Sequence, residues 1–547
     1  MSKGTRRTLL HTAAAAALAV SLSLPGAASA AAKSSASVIP VRDTAVKIGA
    51  KVTWNQKTQT VTLTKKSTTL VMTAGKKTAK LNGKPVTLSD TLRVVRNQAL
   101  ISPDAVIKWF KESPVAPAPP AESGLPGDSF IQSLQSGDSA KAQKLMSPAF
   151  QLSLTAPQLK GLWKGYAQIY GTPGAQLSRT VTPNGVHTNI TYSFQTASTP
   201  LNYTLRLNKE GLVDDLFIGP ASTAAYTHPS YVNPSAYTEE EVTIGEGIFA
   251  VPGVLTKPAA GGPAPVVVLV HGSGPQDRDS SIGGSKPFRD LANGLASQGI
   301  AVLRYDKITY EHTFKFAANP RATIKQETVD DAISAVRYLS TRQDIDRSHI
   351  FVAGHSQGGF ALPLILNADK DERNIRGSIM LAGPSSSFVD VVLEQQKELI
   401  LRVKSLGGDP APYEKNAEIW MAAAKMLNDP QYSQDNLPSS FPLGSSSAYW
   451  WYTLKDYQPA AVAKNQKGPL LILAGENDWQ VPMSQFSAWK SELKNRTDVE
   501  FKSYPKVNHL LSEYDALSTG AEYAQAAHVA EPMVNDIAAW VKNNSKN

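Results

Sequence analysis

A serine flanked by two glycines is the residue of this sequence best suited to nucleophilic chemistry. Ser356 lies in the pentapeptide 354–358 (GHSQG), between the apolar stretches 349–353 (HIFVA) and 359–366 (GFALPLIL). The first stretch predicts a short buried strand and the second a buried helix. A serine in such a strand-turn-helix junction has a strained backbone, and glycines two residues away leave space that any Cβ would fill. We therefore predict that Ser356 is a nucleophile.

Two loops further along the chain supply an acid and an imidazole. Asp478 follows the apolar stretch 469–474 (PLLILA), and His509 follows the alternating stretch 499–504 (VEFKSY). A serine hydroxyl reacts at neutral pH only when an imidazole accepts its proton, and the imidazole needs a carboxylate to orient it. We predict that His509 is the base and that Asp478 orients it, with Glu476 as the alternative acid.

A glycine-rich loop upstream offers backbone donors for the negative charge that develops when a carbonyl group is attacked. This loop, 271–279 (HGSGPQDRD), directly follows 266–270 (VVVLV), which predicts a buried strand. A backbone N–H in such a loop approaches a substrate closely. We predict that the N–H of Ser273, with Gly274 as the near alternative, acts together with the N–H of Gln357.

The order serine, acid, histidine resembles that of the α/β-hydrolase superfamily, where the three groups lie on loops at one edge of a parallel sheet. The loop HGSGPQDRD resembles the HGSGPxDRD loop of secreted bacterial carboxylesterases, and 300–306 (IAVLRYD) and 377–384 (GSIMLAGP) match as well. The family pattern GxxDxxVP fits Asp478 rather than Glu476. The resemblance covers about 246–547. It implies an α/β-hydrolase with a mainly parallel central sheet, which hydrolyses short to medium acyl esters without metal or organic cofactor.

Other charged residues and histidines have structural interpretations. Ion pairs that brace the 271–279 loop are expected among Asp277, Arg278, Asp279, Arg304 and Asp306, with binding of an anionic substrate as the alternative. His271 and His355 adjoin the motifs and are expected to be structural neighbours. Five further histidines lack metal-ligand spacing and are expected to be in the core or in solvent; they are His187, His228, His312, His349 and His528.

An insertion at 385–464 interrupts the alternation of strands and helices after the sixth predicted strand. Its stretches 391–406 and 417–427 have helical character. The resemblance places a cap over the site here. The aromatic residues of the insertion, Trp420 and 449–452 (YWWY), either line a pocket for the acyl or alcohol group or form the core of the cap.

Residues 1–30 have the features of a secretory signal peptide. Basic residues precede the apolar stretch 13–24, and Ala30 ends a small-residue cleavage site. The route of export, general secretory or twin-arginine, stays open. No later apolar run approaches the ~18 residues of a transmembrane helix. We predict a secreted protein without transmembrane segment; the absence of cysteine excludes disulfides and thiolate metal sites.

A small β-rich domain is predicted at 38–111. Stretches at 50–55, 60–64 and 68–73 alternate like short strands, and 81–84 (LNGK) has the character of a hairpin turn. The pieces GAKVTWN and LNGK resemble the N-terminal stalk domain of copper amine oxidases, as found on many secreted bacterial proteins. Such stalks carry no copper site, and no histidine occurs in this segment.

The positive charge of the chain is concentrated in this segment. The whole chain has a net charge of +9, whereas residues 37–110 contain thirteen Lys or Arg residues against three Asp residues, a net charge of +10. This charge favours contact with anionic cell-wall polymers or phospholipid head groups, with a solvated surface without ligand as the alternative. Nucleic acid is not expected as a partner, because the segment has no recognition motif.

A proline-rich linker at 112–127 and an α+β domain at 128–220 complete the predicted order of domains. Within the latter, 128–146 and 156–170 have helical periodicity, and 186–207 alternates like strands. The domain carries no visible catalytic motif.

Three other functions compete with ester hydrolysis. A serine peptidase of the prolyl-oligopeptidase type needs a β-propeller of ~45-residue repeats, which nothing upstream supplies. A non-catalytic cell-wall-binding protein does not need an ordered serine, acid and histidine. An acyltransferase or a lactonase shares the first half of the reaction and stays open.

Overall fold

The computed structural model describes residues 39–41, 50–56, 58–65, 68–95, 98–101, 105–106, 109, 126–221 and 226–546. The chain divides into a compact unit at 27–123 and a second that includes 124–547. The predicted signal peptide, 1–30, lies outside the described residues, as does most of the predicted linker.

The N-terminal unit consists of short antiparallel strands. Its strands are β1 (Ile39–Pro40), β2 (Lys51–Asn55), β3 (Thr60–Lys65), β4 (Thr68–Thr73), β5 (Thr78–Leu81), β6 (Lys84–Thr87), β7 (Arg93–Val95) and β8 (Gln98–Ile101). Strands β2 to β6 form one sheet in chain order, and β1, β8 and β7 form another. Asn82 and Gly83, with φ of 49° and 83°, make the tight turn between β5 and β6. The predicted β-rich domain is confirmed.

Copper has no suitable ligands in this unit. Residues 38–110 contain neither histidine nor cysteine, the side chains that copper sites in proteins use most.

The segment after the linker is an α+β arrangement. Its elements are α1 (Pro126–Gln135), α2 (Ser139–Lys144), α3 (Pro148–Ser153), α4 (Ala156–Tyr170), β9 (Gln176–Pro183), β10 (Thr188–Phe194), β11 (Leu201–Leu207) and β12 (Val213–Pro220). The strands form an antiparallel sheet in the order β12-β11-β10-β9, whose apolar face buries Phe130 and Leu159 of the helices.

Two boundaries in this segment differ from the prediction. The helical stretch 128–146 is two helices, because Gly137 takes a φ of 81° and Asp138 then caps α2 with its side chain. The first helix begins at Pro126, inside the predicted linker 112–127, since proline is well tolerated at the first turn of a helix.

The remainder of the chain is built around an eight-stranded sheet. Its strands are β13 (Tyr237–Ile244), β14 (Val251–Pro258), β15 (Ala264–Val270), β16 (Ala301–Tyr305), β17 (Ile345–His355), β18 (Ile375–Leu381), β19 (Leu470–Gly475) and β20 (Val499–Tyr504). The order is β13-β14-β16-β15-β17-β18-β19-β20. Strand β14 is antiparallel to both its neighbours, and the strands from β16 to β20 are parallel. The predicted mainly parallel sheet is confirmed.

Helices cover both faces of this sheet. They are α5 (Pro287–Ala296), α6 (Ile308–Glu311), α7 (Thr313–Ala317), α8 (Asp330–Ser340), α9 (Gln357–Ala368), α10 (Phe388–Ser405), α11 (Ala411–Leu427), α12 (Ala448–Leu454), α13 (Pro459–Ala463), α14 (Met483–Glu492) and α15 (Glu531–Asn544). A π-helical turn, Lys325–Val329, leads into α8. Val266, Val268 and Val270 belong to one core and Val267 and Leu269 to the other. A strand buried on both faces has an uninterrupted apolar sequence, as β15 does.

The predicted start of the hydrolase part, residue 246, lies too far along the chain. Strand β13 already belongs to the eight-stranded sheet and pairs with β14 from Tyr237 to Ile244. Its sequence, YTEEEVTI, is mostly polar because it is an edge strand with several exposed positions. It therefore lacks the apolar run of an inner strand.

The insertion at 385–464 follows β18, the sixth strand of the sheet, and contains α10 to α13. Trp420, Trp451 and Tyr452 are buried in one apolar cluster within it, so these aromatics form the core of the cap. Among the described residues, no helix is both long and apolar enough to span a membrane.

Candidate active site

Ser356 occupies a sharp turn between β17 and α9, with φ of 54° and ψ of −117°. A non-glycine residue in this backbone region is strained. A Cβ on Gly354 would lie 2.3 Å from the carbonyl oxygen of Gly358, and a Cβ on Gly358 would lie 2.3 Å from that of Val270. The tight turn therefore needs glycine on both sides of Ser356, as predicted.

The register of the sheet places the glycine-rich loop beside this turn. Val270, the last residue of β15, pairs with Gly354 of β17. The loop that follows Val270 and the turn that follows Gly354 consequently leave the sheet side by side. A Cβ on Gly272 would lie 3.2 Å from Cβ of Ser356, so the loop passes directly over the serine.

Asp478 and His509 form a buried hydrogen-bonded pair. Nδ1 of His509 lies 2.7 Å from Oδ2 of Asp478, and the two residues are 5% and 1% exposed. The N–H groups of Gln480 and Val481 donate to the other carboxylate oxygen at 2.7 and 3.0 Å. Because the carboxylate accepts, the imidazole proton lies on Nδ1 and leaves Nε2 free to accept another.

Glu476, the alternative acid, lies elsewhere. Its side chain is exposed and accepts a hydrogen bond from the hydroxyl of Ser503 at 2.7 Å. The structure therefore pairs His509 with Asp478 and not with Glu476.

His355 ties the loop of His509 to the serine turn. Its Nε2 donates to the carbonyl oxygen of His509 at 2.8 Å, and the two rings are 4.8 Å apart. Burial and the neighbouring His509 lower the pKa of His355 to about 3, so the ring is neutral and donates as a structural group. The residue next to His355 is Ser356, which brings the predicted nucleophile and base onto adjoining backbones.

His271 is likewise structural. Its Nε2 donates to the carbonyl oxygen of Asp277 at 3.0 Å. Burial and the charge of Lys307 lower the pKa of His271 to about 3. A neutral ring here stabilises the curvature of the glycine-rich loop.

The predicted backbone donors are available for a ligand. No hydrogen bond from the N–H of Ser273, Gly274 or Gln357 to another described residue is formed. Gln357 begins α9, where the first N–H groups of a helix have no partner within it and favour negative charge.

Two charged residues of the loop, Arg278 and Asp279, form ion pairs with Asp306 and Arg304 at the end of β16. Arg278 binds Asp306 with two nitrogens, at 3.0 and 3.1 Å, and Arg304 binds Asp279 at 3.0 Å. These contacts agree with the expectation that ion pairs brace the loop.

A buried lysine at this site was missed at the level of sequence. Nζ of Lys307 donates to the carbonyl oxygen of Gly272 at 2.9 Å, to Oε1 of Gln357 at 3.0 Å and to Oε1 of Glu327 at 2.7 Å. The sequence signal that could have identified Lys307 is its position shortly after β16, at the edge of the sheet where the other groups lie.

Two of the histidines expected in the core or in solvent, His187 and His312, are buried and belong to one cluster. One ligand atom each of His187, Asp214 and His312 lies within 4.8 Å of the others. The ammonium of Lys315 is hydrogen-bonded to Asp214, so a protein cation already neutralises the carboxylate. This cluster connects the α+β segment to α6 and α7.

Two families match parts of this sequence. The Copper amine oxidase N-terminal domain family matches residues 25–112. The family described as Serine aminopeptidase, S33, matches residues 261–514, which include all the predicted catalytic groups.

A relative from Thermotoga maritima, Esterase EstD, matches most of the chain. The two sequences are 31% identical over 420 residues, which are 75% of this chain and 93% of EstD. This chain belongs to the EstD family of esterases. As a member of the EstD family it is a carboxylic ester hydrolase on an α/β-hydrolase fold, preceded by a copper amine oxidase-like stalk domain.

Solved esterase structures are similar to a part of this EstD-family chain. Est1E from Butyrivibrio proteoclasticus is 15% identical, with a TM-score of 0.37, and the match covers 56% of this chain and 99% of Est1E. An esterase from Pyrobaculum calidifontis is 16% identical, with a TM-score of 0.35, covering 56% of this chain and 85% of that protein.

Proposed function

We propose that this esterase is a serine carboxylesterase that cleaves short to medium acyl esters through an acyl-enzyme intermediate on Ser356. The observation that carries the proposal is the strained turn at Ser356, whose neighbour His355 is hydrogen-bonded to the backbone of His509. His509 in turn binds the buried carboxylate of Asp478 at 2.7 Å. An imidazole held in this way, with Nε2 free, is suited to accept a hydroxyl proton.

In the proposed reaction, Oγ of Ser356 attacks the ester carbonyl carbon while Nε2 of His509 accepts its proton. The carbonyl oxygen becomes an oxyanion, which accepts hydrogen bonds from the N–H groups of Ser273 and Gln357. His509 then returns the proton to the leaving alcohol as the carbon–oxygen bond breaks. Water, deprotonated by His509, then attacks the carbonyl carbon of the acyl-enzyme. The resulting tetrahedral intermediate collapses as His509 returns the proton to Oγ of Ser356, which releases the carboxylic acid and restores the serine hydroxyl.

Replacement of the nucleophile tests this mechanism. Ser356→Ala is expected to lower kcat for p-nitrophenyl acetate and butyrate by about 10⁴-fold or more and to abolish labelling by a fluorophosphonate. A p-nitrophenyl chain-length series on the unchanged enzyme measures the proposed acyl preference. Labelling that persists in Ser356→Ala would place the nucleophile elsewhere.

A matched pair of variants tests the acid. Asp478→Asn is expected to lower kcat by about 10³- to 10⁴-fold, because the amide no longer orients and stabilises the imidazolium. Glu476→Gln, two residues away on the same loop, is expected to retain activity within about twofold of the unchanged enzyme. Equal losses in the two variants would contradict the assignment.

Peptide cleavage and acyl transfer are the competing reactions. Aminoacyl p-nitroanilides test the first, since one matching family is described as a serine aminopeptidase. A kcat/KM for these amides above that for the esters would overturn the ester assignment. Product analysis with added alcohols detects acyl transfer.

We also propose that the chain is exported and that 1–30 is removed. Residues 1–30 begin with basic residues, continue with an apolar stretch and end in small residues, and this order supports the proposal. Mass spectrometry of the protein recovered from the culture medium is expected to find Ala31 at the N-terminus.

Contact of the basic segment 37–110 with anionic cell-wall polymers is a separate proposal. It is tested by co-sedimentation with such a polymer at low and high salt. Binding that is insensitive to salt would argue against an electrostatic contact.

A further inference from the structure

We propose that Lys307 is a positioning residue that fixes the oxyanion-binding peptide of this esterase and links it to the cap. The inference rests on the serine mechanism proposed above. Lys307 is 1% exposed and lies two residues after the end of β16, so its side chain is inside the protein at the same sheet edge as Ser356. Burial of a charged lysine is costly unless its protons are all hydrogen-bonded.

The ammonium of Lys307 has three acceptors, which is the number it can satisfy. They are the carbonyl oxygen of Gly272 at 2.9 Å, Oε1 of Gln357 at 3.0 Å and Oε1 of Glu327 at 2.7 Å. The three acceptors belong to the glycine-rich loop, to the start of α9 and to the π-helical turn. One cation therefore joins both segments that carry the proposed oxyanion donors.

The contact with Gly272 determines where the Ser273 N–H points. The carbonyl of Gly272 and the N–H of Ser273 belong to one planar peptide group and point in opposite directions. Because the carbonyl is held by Lys307, the N–H is directed away from the lysine, with Gly272 itself packed on Ser356. A charged donor on the carbonyl also polarises the peptide and strengthens its N–H as a donor.

The contact with Gln357 keeps a competing group away from the substrate. Gln357 carries the second proposed donor on its backbone, and its amide side chain is 2% exposed. Lys307 holds the side-chain oxygen in the interior, so that this oxygen does not accept the backbone hydrogen bonds intended for the oxyanion. The same lysine therefore acts on both donors.

Glu327 extends the network to the cap. Its second carboxylate oxygen accepts a hydrogen bond from Nε1 of Trp450 at 2.8 Å. Trp450 lies on α12, and its ring is 5.7 Å from that of Phe388 and 5.0 Å from that of Trp451. Glu327 lies on a π-helical turn, a feature that occurs frequently at functional sites. Trp450, Glu327, Lys307 and Gly272 thus form one continuous chain of hydrogen bonds from the cap to the oxyanion peptide.

A double variant separates positioning from mere stability. Lys307→Met alone leaves the carboxylate of Glu327 buried without its cation, which endangers the fold. Lys307→Met combined with Glu327→Gln removes both charges at once and restores neutrality. If the ion pair is purely structural, this double variant keeps its kcat. If Lys307 positions the oxyanion-binding peptide, the kcat of the double variant falls.

The expected result is a fall in kcat for p-nitrophenyl butyrate of roughly 10- to 100-fold, with KM changed by less than about twofold, because the contact acts on the transition state. The inhibition constant of a trifluoromethyl ketone, which forms a tetrahedral oxyanion adduct, is expected to weaken by the same factor. The pH dependence of kcat/KM is expected to keep its midpoint. A folded double variant with kcat within twofold of the unchanged enzyme would overturn the proposal.

Lys315 and Asp214 provide the matched control. Lys315 is 5% exposed and pairs with Asp214 away from the loop, so Lys315→Met combined with Asp214→Asn also deletes a buried lysine and its carboxylate. This variant is expected to keep kcat within about twofold. A loss equal to that of the Lys307 double variant would show that disturbance of any buried pair has this effect, and would overturn the proposal.

Trp450→Phe tests the link to the cap, since it keeps an aromatic ring and removes the indole N–H. A fall in kcat of about three- to tenfold, with the same loss of ketone affinity, is expected. An unchanged kcat would overturn the link. Ser356→Ala separates the two levels of the argument: a kcat within about tenfold of the unchanged enzyme in that variant would refute the serine mechanism itself, whatever the Lys307 variants do.

Discussion

Arg402, on the cap helix α10, donates hydrogen bonds to the backbone carbonyl oxygens of Asn477 and Asp478, at 2.9 and 3.3 Å. It also donates to the carbonyl oxygen of Ser518 at 3.1 Å and is 8% exposed. The loop that presents the carboxylate to His509 is therefore held from the cap, on the side opposite to its strand. A second hydrogen bond from the cap, donated by Trp450 to Glu327, leads through Lys307 to the glycine-rich loop.

Arg402→Gln is expected to destabilise the protein by about 1–3 kcal/mol and to lower kcat by about tenfold, because a displaced acid loop orients His509 poorly. Arg496→Gln is the control, since Arg496 donates to the carbonyl oxygens of Ala463 and Gly468 before β19, at the other end of the strands. Thermal unfolding and ester assays at 25 °C are compared. Similar losses of kcat in both variants would remove the special role of Arg402.

Gly358→Ala is expected to abolish activity, because its Cβ would lie 2.3 Å from the carbonyl oxygen of Val270 and would displace the serine turn. A Cβ on Gly161, within helix α4, meets nothing within 4 Å, so Gly161→Ala is expected to stabilise the protein by about 0.5–1 kcal/mol without change in kcat. Soluble yield, thermal midpoint and titration of the serine with a fluorophosphonate measure the difference. Full serine titration in Gly358→Ala would contradict the steric argument.

Asp331 is expected to make stability depend on pH. Burial raises the pKa of its carboxyl from 3.8 to about 8, so the folded protein keeps a proton that the unfolded chain releases. The stability that this carboxyl contributes is complete below pH 3.8 and is lost as the pH rises through about 8.

Asp331→Asn cannot ionise and is expected to exceed the unchanged protein in free energy of unfolding by at least about 1 kcal/mol at pH 8, with a small difference at pH 4. Denaturant titrations at both pH values measure this. Asp330→Asn, on the partly exposed neighbour that pairs with Lys325, is the control and is expected to change the free energy of unfolding by less than about 1 kcal/mol at pH 8. If the difference in free energy of unfolding between Asp331→Asn and the unchanged protein becomes smaller towards pH 8, the prediction is wrong.

Glu311 joins the α+β segment to the hydrolase part. Its carboxylate is fully buried and accepts from Nε of Arg206 at 3.0 Å, from Nδ2 of Asn184 at 2.9 Å and from Nδ1 of His187 at 2.6 Å. Glu311→Gln leaves Arg206 buried without its partner and is expected to cost about 3–5 kcal/mol, with separate unfolding of the two parts in calorimetry.

Glu492→Gln is the surface control for Glu311, since Glu492 pairs with Lys464 where both side chains are about half exposed. It is expected to change stability by less than about 1 kcal/mol. A single unchanged transition for Glu311→Gln would show that the buried pair does not hold the two parts together.

Local signals of the sequence predicted much of this architecture. The stretch VEFKSY forms β20 with the predicted bounds, and APQLKGLWKGYAQIY forms α4. The turn at Ser356, the loop at 271–274 and the loops of Asp478 and His509 were located because each follows a stretch with a clear strand pattern, apolar in three cases and alternating in β20. Edge strands were harder to predict from the sequence. Strand β13 is polar because its exposed positions face solvent, so its sequence lacks the apolar run of an inner strand.

By itself, the sequence indicated the order of the proposed catalytic groups, the glycines around Ser356 and the resemblance to esterases. The family pattern favoured Asp478 over Glu476, two residues away in the same loop, and the tertiary structure adds the hydrogen bond between Asp478 and His509. The tertiary structure alone brought Lys307 to Gly272, Arg402 to Asn477 and Glu311 to Arg206. A lysine or arginine after a strand or on a helix has the same local sequence whether it is solvated or buried, because its partners come from segments far away along the chain.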